Sequence, residues 1–337
     1  MAAADHASQQ VVVVGAGPVG LHAAFQIGLR GFRPVLIDSL PYAGGQCAAL
    51  YPDAAIHDAP GLPAVPAGEL TARLRDQLEP FSPIYLFGRR AASVWGSAEN
   101  GFSVETNTGE TATGVAVIYA GGPGALRPRR IEAEGIESLG GGDLAYDPAA
   151  PAKGRRVAVV GDGPSAVDAA LAASDDAAAV TLVHAAPLKA RADRLSALDA
   201  AAARRRLQLV EGEVERLDAP GGKLSGVAIR SAEGVVRRDV DLLLVQAGLE
   251  LVEGGITGLG PVADPTSGET ATPGIFIVGD AAGEAPGGQG RPPVIAAGFS
   301  EAVRAAEGVA KRIAPAAGRT LPHTASSPVL QARLKIA

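Results

Sequence analysis

The sequence of 337 residues predicts an α/β protein with two parallel-sheet domains, the second inserted into the first. Two observations support this fold class. A strand, glycine-rich turn, helix and strand follow one another from Val11, and the same order begins again at Val157, 146 residues later. In both copies the second strand ends 23 residues after the first glycine of the turn. One glycine-rich turn is a weak signal, but two units with identical spacing are specific.

The first unit combines its glycine-rich turn with an acid at the tip of the second strand. A β-branched strand over 11–14 enters the turn, a helical pattern follows, and a strand over 35–37 ends at an aspartate. In such turns the first glycine permits the bend, the second lets the backbone approach a pyrophosphate, and the third allows close helix packing. The acid accepts a ribose hydroxyl. A glycine turn in an ordinary α/β domain is the plainer alternative. The predicted dinucleotide contacts are Gly15, Gly17, Pro18, Gly20 and Asp38.

The second unit differs where its second strand ends. The strand over 157–160 enters a turn in which alanine replaces the third glycine, and the strand over 180–183 ends at a histidine. The acceptor for a ribose 2′-hydroxyl that is typical of an NAD site is therefore missing. The cations that follow, Lys189, Arg191 and Arg194, could receive a 2′-phosphate or could form a solvated helix face. The predicted nicotinamide-dinucleotide contacts are Gly161, Gly163, Ser165, Ala166, His184 and Arg191.

Glycine-rich breaks divide the chain. Strands over 101–107 and 115–120 precede Gly121-Gly122-Pro123-Gly124, where we place the first domain crossing. The apolar strand over 242–245 reaches Ala247-Gly248, where we place the return. The predicted segments are 1–121 and 248–337 for the split domain and 122–247 for the inserted one.

The last part of the chain contains one further candidate residue. A buried strand over 275–278 closes on Asp280, at the carboxyl end of a strand, where α/β folds bind ligands. Asp280 could hold a ligand hydroxyl or could simply cap a helix. A helical pattern continues over 299–313, and the tail from Ala314 shows little pattern.

Composition argues against several classes of protein. The net charge of −6 argues against a nucleic-acid binder. Cys47 is the single cysteine, so a disulfide, a CxxC redox pair or a cysteine-rich metal site cannot form within one chain. The start lacks the pattern of a signal peptide, and no apolar run approaches the ~20 residues that cross a bilayer. These features predict a soluble cytoplasmic protein without a nucleic-acid, membrane or metal partner.

Motifs spread in order over nearly the whole chain carry a resemblance to a known family. They are Asp38-Ser-Leu-Pro-Tyr-Ala-Gly-Gly-Gln46, Ala49-Leu-Tyr-Pro-Asp53, Gly163-Pro-Ser-Ala-Val-Asp168, Ile277-Val-Gly-Asp280, Ala297-Gly-Phe299 and Pro322-His-Thr-Ala-Ser326. With them the chain resembles the thioredoxin-reductase-like ferredoxin/flavodoxin–NADP reductases of bacteria. The resemblance implies a homodimeric flavoprotein, with a Rossmann-like NADP domain inserted into a split Rossmann-like FAD domain. Where thioredoxin reductases carry their CxxC, this chain has Leu144-Ala-Tyr-Asp-Pro148.

The same resemblance implies a role for each part of the FAD site. The glycine turn and Asp38 would hold the ADP half of FAD. The residues nearer the flavin would be Gly45, Gln46, Gly279 and Asp280. Tyr51 would stack on one ring face, and His323, contributed across the dimer, would cover the other, so these two are the candidate catalytic residues. A packed loop tyrosine and a tail histidine are the plainer alternatives.

The chain departs from the family pattern at three places. Ala185 and Ala186 stand where the family has two arginines, which leaves the preference for NADPH or NADH open. The loop over 283–293 looks longer than usual beside the flavin. Cys47 stands where the family has an aliphatic residue. We interpret it either as a small buried apolar side chain or as a thiol near the flavin.

The resulting hypothesis is an FAD-dependent oxidoreductase that passes electrons between NADPH or NADH and ferredoxin or flavodoxin without redox cysteines. The alternative is a specialised flavin-dependent oxidoreductase or oxidase that acts on a small molecule and has weak or lost NADPH use. A non-catalytic FAD-binding or partner-docking protein is a third possibility. Arginines at 89, 90, 127, 129, 130 and 204–206 only hint at a basic surface for an acidic partner.

Overall fold

The computed structural model describes residues 9–139, 142–148, 150–204, 206–252, 256–284, 294–313 and 328–334. The chain divides into two compact units. The first consists of Met1–Leu126 and Leu251–Ala337, and the second of Arg127–Glu250. Both crossings lie a few residues beyond the glycine breaks at which the sequence predicts them.

The elements follow one another in three segments. The first contains β1 (Gln10–Val14), α1 (Pro18–Leu29), β2 (Arg33–Asp38), α2 (Gly45–Ala49), β3 (Ala55–Ile56), β4 (Val65–Pro66), α3 (Ala67–Leu78), β5 (Ile84–Phe87), β6 (Ala91–Ser97), β7 (Gly101–Thr106), β8 (Thr111–Gly114), β9 (Ala116–Tyr119) and β10 (Leu126–Pro128). The second contains β11 (Leu144–Ala145), β12 (Arg156–Val160), α4 (Pro164–Ala173), β13 (Ala179–His184), α5 (Ala192–Ala203), β14 (Leu207–Glu211), β15 (Glu213–Asp218), β16 (Gly226–Ser231), β17 (Gly234–Asp239) and β18 (Leu242–Val245). The third contains β19 (Leu249–Leu251), β20 (Val262–Asp264), β21 (Glu269–Thr270), β22 (Ile275–Ile277), α6 (Asp280–Glu284), α7 (Ile295–Ile313) and α8 (Pro328–Leu334). Within the described residues, every helix is too short or too polar to cross a bilayer.

A seven-stranded sheet forms the centre of the first unit, in the order β20-β21-β22-β9-β1-β2-β5. The strands from β22 to β5 are parallel. In β1, Val11 and Val13 pack with residues of α1, α3 and α7, whereas Val12 and Val14 pack with the antiparallel sheet β6-β7-β8. Both faces of β1 are therefore covered, which explains why its sequence is a run of valines instead of an alternating pattern.

The second unit repeats this layering on a smaller scale. Its parallel sheet has the order β11-β18-β12-β13-β14, and a three-stranded antiparallel sheet, β15-β16-β17, accompanies it. Val157 and Val159 of β12 pack with α4 and α5, whereas Ala158 packs with the antiparallel sheet. The two units thus bury the central strand of each βαβ motif in the same way.

The tail contains an element that the sequence does not predict. Helix α8 has only seven residues, and its Leu330 is 3% exposed within the core of the first unit. So short a segment shows no clear periodicity, and its helical state depends on tertiary packing. His323 and the part of the 283–293 loop after Glu284 lie outside the described residues.

An ion pair joins the starts of β12 and β18 in the second unit. Asp241 Oδ2 accepts hydrogen bonds from the Arg156 backbone amide at 3.0 Å and from Arg156 Nε at 2.9 Å, and Oδ1 accepts one from Nη2 at 2.6 Å. The Arg156 hydrogen bonds lower the pKa of Asp241 from 3.8 to about 2. A carboxyl with a depressed pKa stabilises the folded state above its unfolded pKa, and this contribution is lost as the pH falls toward the folded value.

Asp241→Asn should therefore lower the free energy of unfolding at pH 7, and its difference from the wild type should shrink between about pH 4 and pH 2. Urea unfolding of both proteins across this pH range measures the effect. Asp239→Asn is the control, because Asp239 contacts the same arginine but its side chain is 82% exposed, so we expect a smaller loss. A constant difference between wild type and Asp241→Asn at every pH would contradict the interpretation.

Candidate functional site

The glycine turn between β1 and α1 lines one end of a cleft in the first unit. Gly15 has a φ of +100°, and a Cβ there would lie 2.3 Å from the Ala120 carbonyl oxygen. A Cβ on Gly20 would lie 1.9 Å from the Gly15 carbonyl oxygen. Gly17 differs, because its φ is −71° and the nearest described atom to a Cβ there is the Gly45 Cα at 3.8 Å. Packing of the chain itself requires Gly15 and Gly20, whereas Gly17 leaves space in front of the helix.

The start of α1 can bind an anion. Gly17 is the N-cap residue and Pro18 occupies the first turn, which contains no acidic side chain. The first amide groups of a helix have no acceptor within the helix, and the helix dipole places partial positive charge there. This end of α1 borders the cleft through Gly17 and Pro18, so a phosphate group would meet backbone donors at that position.

Asp38 lies at the tip of β2 and also lines the cleft. Its Oδ2 accepts a hydrogen bond from the Ala16 amide at 2.6 Å, and its Oδ1 accepts one from the Leu40 amide at 2.8 Å. Burial raises the pKa of the Asp38 carboxyl, and the two backbone hydrogen bonds act in the opposite direction. The two amides fix the orientation of the carboxylate, and each oxygen keeps a second lone pair for a ligand hydroxyl.

The loop before α2 packs against the glycine turn. The Gly44 amide donates to the Ala16 carbonyl oxygen at 2.8 Å, and a Cβ on Gly45 would lie 2.8 Å from the Gly17 Cα. Gly45 has a φ of +55°, so glycine is favoured there by conformation as well as by space. The side chain of Gln46 follows and borders the same cleft.

Tyr51 and Cys47 form a pair at the edge of the cleft. The Tyr51 side chain is 40% exposed, whereas Cys47 is 4% exposed, and the thiol donates to the Tyr51 hydroxyl at 3.8 Å. Desolvation and the neighbouring thiol raise the pKa of Tyr51 to about 12. Burial likewise raises the pKa of Cys47. Both side chains are therefore neutral at pH 7, so Tyr51 offers an aromatic face and Cys47 is not a thiolate nucleophile.

The carboxyl end of β22 places Asp280 in the same cleft. The Val278 amide donates to the Tyr119 carbonyl oxygen at 2.9 Å, which extends the parallel pairing of β22 with β9. Gly279 then turns with a φ of +71°, and Asp280 begins α6. Asp280 therefore follows a strand end and lines the cleft, as the sequence predicts.

The cleft brings together residues at the carboxyl ends of β1, β2 and β22, where α/β folds bind ligands. The predicted FAD contacts that line it are Gly15, Gly17, Pro18, Asp38, Gly45, Gln46, Tyr51, Gly279 and Asp280. Gly20 packs behind the turn instead.

Part of the cleft wall is not predicted from the sequence. The backbone from Ala120 to Leu126 lines the cleft, although its glycines indicated only a domain crossing. Arg89 and Arg90 also line it, although the sequence suggested a partner surface for them. The Arg89 amide donates to the Asp38 carbonyl oxygen at 2.9 Å, which explains their position beside the tip of β2. Strand adjacency of this kind depends on the sheet order and not on local sequence.

The turn of the second unit has the same construction. Gly161 has a φ of +150°, and a Cβ there would lie 2.2 Å from the Gln246 carbonyl oxygen. Gly163 caps α4, and no described atom lies within 4 Å of a Cβ placed on it. Ser165 donates its hydroxyl to Gln246 Oε1, and Ala166 is fully buried. Gly163 therefore leaves space in front of α4, as Gly17 does in front of α1.

The predicted phosphate-binding residues of this unit take part in contacts with the chain itself. His184 Nδ1 donates to the Ala186 carbonyl oxygen at 3.1 Å. Arg191, with a side chain 67% exposed, pairs with Asp193 at 3.1 Å. Arg194 pairs with Asp168 of α4 at 2.5 Å. The structure thus engages both arginines in ion pairs, Arg194 with a residue of the helix that follows the turn.

A model of the pyridine nucleotide-disulphide oxidoreductase family matches residues 9–302. The chain belongs to this family. Pyridine nucleotide-disulphide oxidoreductases use FAD and NAD(P)H, and the chain is an oxidoreductase. The predicted cofactors are thereby confirmed for the family.

Curated relatives of this pyridine nucleotide-disulphide oxidoreductase are named ferredoxin–NADP reductase. One from Acidovorax sp. (strain JS42) is 38% identical over 349 residues, which cover 97% of this chain and 95% of the relative. One from Ralstonia pickettii (strain 12J) is 39% identical over 337 residues, which cover 94% and 90%. These relatives confirm the resemblance that the sequence motifs carry.

Solved structures of similar fold are thioredoxin reductases. That of Lactococcus lactis has a TM-score of 0.51 at 20% identity, covering 91% of this chain and 99% of that one. That of Gloeobacter violaceus has a TM-score of 0.51 at 20% identity, covering 93% and 96%. The likeness confirms the predicted α/β class with two Rossmann-like domains.

The first unit of this pyridine nucleotide-disulphide oxidoreductase fits FAD. The space before Gly17 suits a pyrophosphate, the fixed Asp38 carboxylate suits a ribose, and Asp280 and Tyr51 lie in the same cleft. The disulphide chemistry in the family name does not apply within this chain, because Cys47 is its single cysteine.

Proposed function

We propose that this chain oxidises NADPH or NADH through bound FAD and reduces ferredoxin or flavodoxin. The observation that carries the proposal is the cleft that joins the glycine turn, Asp38 and Asp280 in a chain with one cysteine. Without a dithiol to receive an electron pair, electrons leave the site through the flavin itself. The relatives named ferredoxin–NADP reductase support a one-electron protein acceptor.

Each part of the cleft has a distinct task in this proposal. The amides at the start of α1 bind the pyrophosphate, and Asp38 binds the adenosine ribose. Asp280 accepts a ribityl hydroxyl, and neutral Tyr51 stacks on the ring and limits the access of water. When bound, FAD supplies the chemistry that connects two-electron donors with one-electron acceptors. The protein positions it.

An anaerobic titration of the purified protein with NADPH and then NADH tests the proposal. Bleaching of the flavin absorbance by either coenzyme, followed by recovery on adding oxidised ferredoxin or flavodoxin, is the expected result. Absence of bleaching by both would favour the small-molecule oxidoreductase or the FAD-binding protein, and turnover of a small substrate separates these two. Colourless protein that cannot be reconstituted with FAD would overturn the proposal.

Asp280→Ala should weaken FAD binding by about 1.5–3 kcal/mol, because a ribityl hydroxyl loses a charged acceptor. Asp280→Asn keeps an acceptor oxygen and should lose less. Titration of the apoproteins with FAD, followed by flavin fluorescence, gives the dissociation constants. Unchanged affinity in Asp280→Ala would mean that this residue only begins α6.

Two further features of the proposal concern assembly. The homodimer and the cover of the second ring face by His323 of the partner subunit follow from the family resemblance alone. Light scattering at several protein concentrations measures the assembly. His323→Ala should change the reactivity of the flavin with oxygen and leaves Leu330 of α8 in the core, and unchanged reactivity would remove His323 from the site.

A further inference from the structure

One buried carboxylate of the first unit lies behind the proposed flavin contacts. Glu301 on α7 is 5% exposed, and its Oε2 accepts a hydrogen bond from the Gly279 amide at 2.7 Å. Gly279 directly precedes Asp280. We infer that Glu301 is a positioning residue for FAD, because it holds the turn that presents Asp280 to the cleft. This inference rests on the flavin site proposed above.

The hydrogen bond from Gly279 to Glu301 lies at the point where β22 stops pairing with β9. Ile277 is the last residue of β22 paired with β9, and the Val278 amide still donates to the Tyr119 carbonyl oxygen. The next amide, that of Gly279, donates to a side chain from a helix instead of to a strand. Buried amides need an acceptor, and the positive φ of Gly279 commits the chain to this turn. Glu301 therefore fixes the backbone one residue before Asp280.

Close packing of α7 brings Glu301 to this amide. A Cβ on Gly298, in the preceding turn of α7, would lie 2.4 Å from Val19 Cγ2. The same valine lies 3.4 Å from a Cβ placed on Gly279. Val19 belongs to the first turn of α1, so the start of α1, the Gly279 turn and α7 meet at one side chain. The Glu301 carboxylate connects α7 to the strand end at this junction.

Three substitutions of Glu301 separate the effects of side-chain length, charge and volume. Glu301→Gln keeps an acceptor oxygen at the same length and loses the charge. Glu301→Asp keeps the charge but is one methylene shorter. Glu301→Met keeps the volume and loses both. If the hydrogen bond to Gly279 positions Asp280, length and acceptor oxygen matter more than charge.

The experiment compares FAD dissociation constants of these variants by titration of the apoproteins, together with the visible circular dichroism of bound flavin. We expect Glu301→Gln to stay within about threefold of wild type, and Glu301→Asp and Glu301→Met to weaken binding about tenfold or more and to change the dichroism. In an Asp280→Ala background, Glu301→Met should cause little further loss, because its effect acts through Asp280. If Glu301→Met does not fold, the FAD dissociation constants of Glu301→Asp and Glu301→Gln alone test the positioning role.

Val309→Ala is the matched control, because Val309 is a fully buried residue of α7 in the same core. It should lower the apoprotein Tm and leave the FAD dissociation constant unchanged. Wild-type affinity in both Glu301→Asp and Glu301→Met would overturn the inference while leaving the flavin site in place. So would a loss of equal size with and without Asp280. A wild type that binds no FAD would instead overturn the proposed function and the inference with it.

Discussion

Gly17→Ala should leave the apoprotein folded and remove most of its affinity for FAD. The nearest described atom to the added methyl group is the Gly45 Cα at 3.8 Å, an ordinary contact, and the φ of −71° suits alanine. A pyrophosphate at the start of α1 would need the same space. Overpacking of this kind costs roughly 3 kcal/mol, about a hundredfold in the dissociation constant. The apoprotein Tm and a fluorescence titration with FAD measure the two effects separately.

Two other glycines provide controls. Gly20→Ala should destabilise the apoprotein itself, because its Cβ would lie 1.9 Å from the Gly15 carbonyl oxygen. Gly163→Ala adds the equivalent methyl group to the second unit, where no described atom lies within 4 Å of it, and should leave FAD affinity unchanged. Wild-type FAD affinity in Gly17→Ala would show that the pyrophosphate does not approach α1 at this residue.

The βαβ units could be predicted from sequence because the signals are local. Strand β1 is a run of valines buried on both faces, and the spacing from Gly15 to Asp38 measures one helix and one strand. The structure gives β2 as Arg33–Asp38, so Asp38 does lie at the strand tip. The motif itself places these residues together, which is why one chain segment predicts the part of the cleft that we propose binds the ADP half of FAD.

The rest of the cleft depends on which strands become neighbours. Arg89 reaches the tip of β2 because β5 pairs with that strand, and Glu301 reaches Gly279 because α7 packs closely on Val19. No local pattern records either contact. Asp280 could be predicted because a strand end is a local feature, but the carboxylate that supports its turn lies 21 residues further along the chain.

The arginines at the proposed coenzyme site of the second unit are already paired with acidic side chains. Arg191 and Arg194 are the arginines nearest in sequence after His184, and both form ion pairs with aspartates of this unit. A 2′-phosphate would have to compete with Asp193 and Asp168 for them. Neither alanine that follows His184 offers a charge. We therefore expect the wild type to discriminate poorly between NADPH and NADH.

Restoring arginines at positions 185 and 186 should improve the use of NADPH selectively. Each bidentate contact with a phosphate contributes on the order of 1.5–3 kcal/mol, about a tenfold to hundredfold rise in kcat/KM for NADPH. Ala185 is exposed and Ala186 is partly buried, so position 185 accepts a long side chain more readily. The double variant Ala185→Arg and Ala186→Arg should leave kcat/KM for NADH within about threefold of wild type, since NADH lacks the phosphate.

Arg191→Met and Arg194→Met test whether either arginine binds the 2′-phosphate when positions 185 and 186 are alanine. If the ion pairs hold these side chains away from the coenzyme, neither variant should change the ratio of kcat/KM for NADPH to that for NADH by more than about threefold. A strong wild-type preference for NADPH that one of them abolishes would show that this arginine leaves its aspartate for the phosphate. In that case an arginine at the start of α5 takes the role of the two arginines that are missing after His184. The double variant should then raise kcat/KM for NADPH little further.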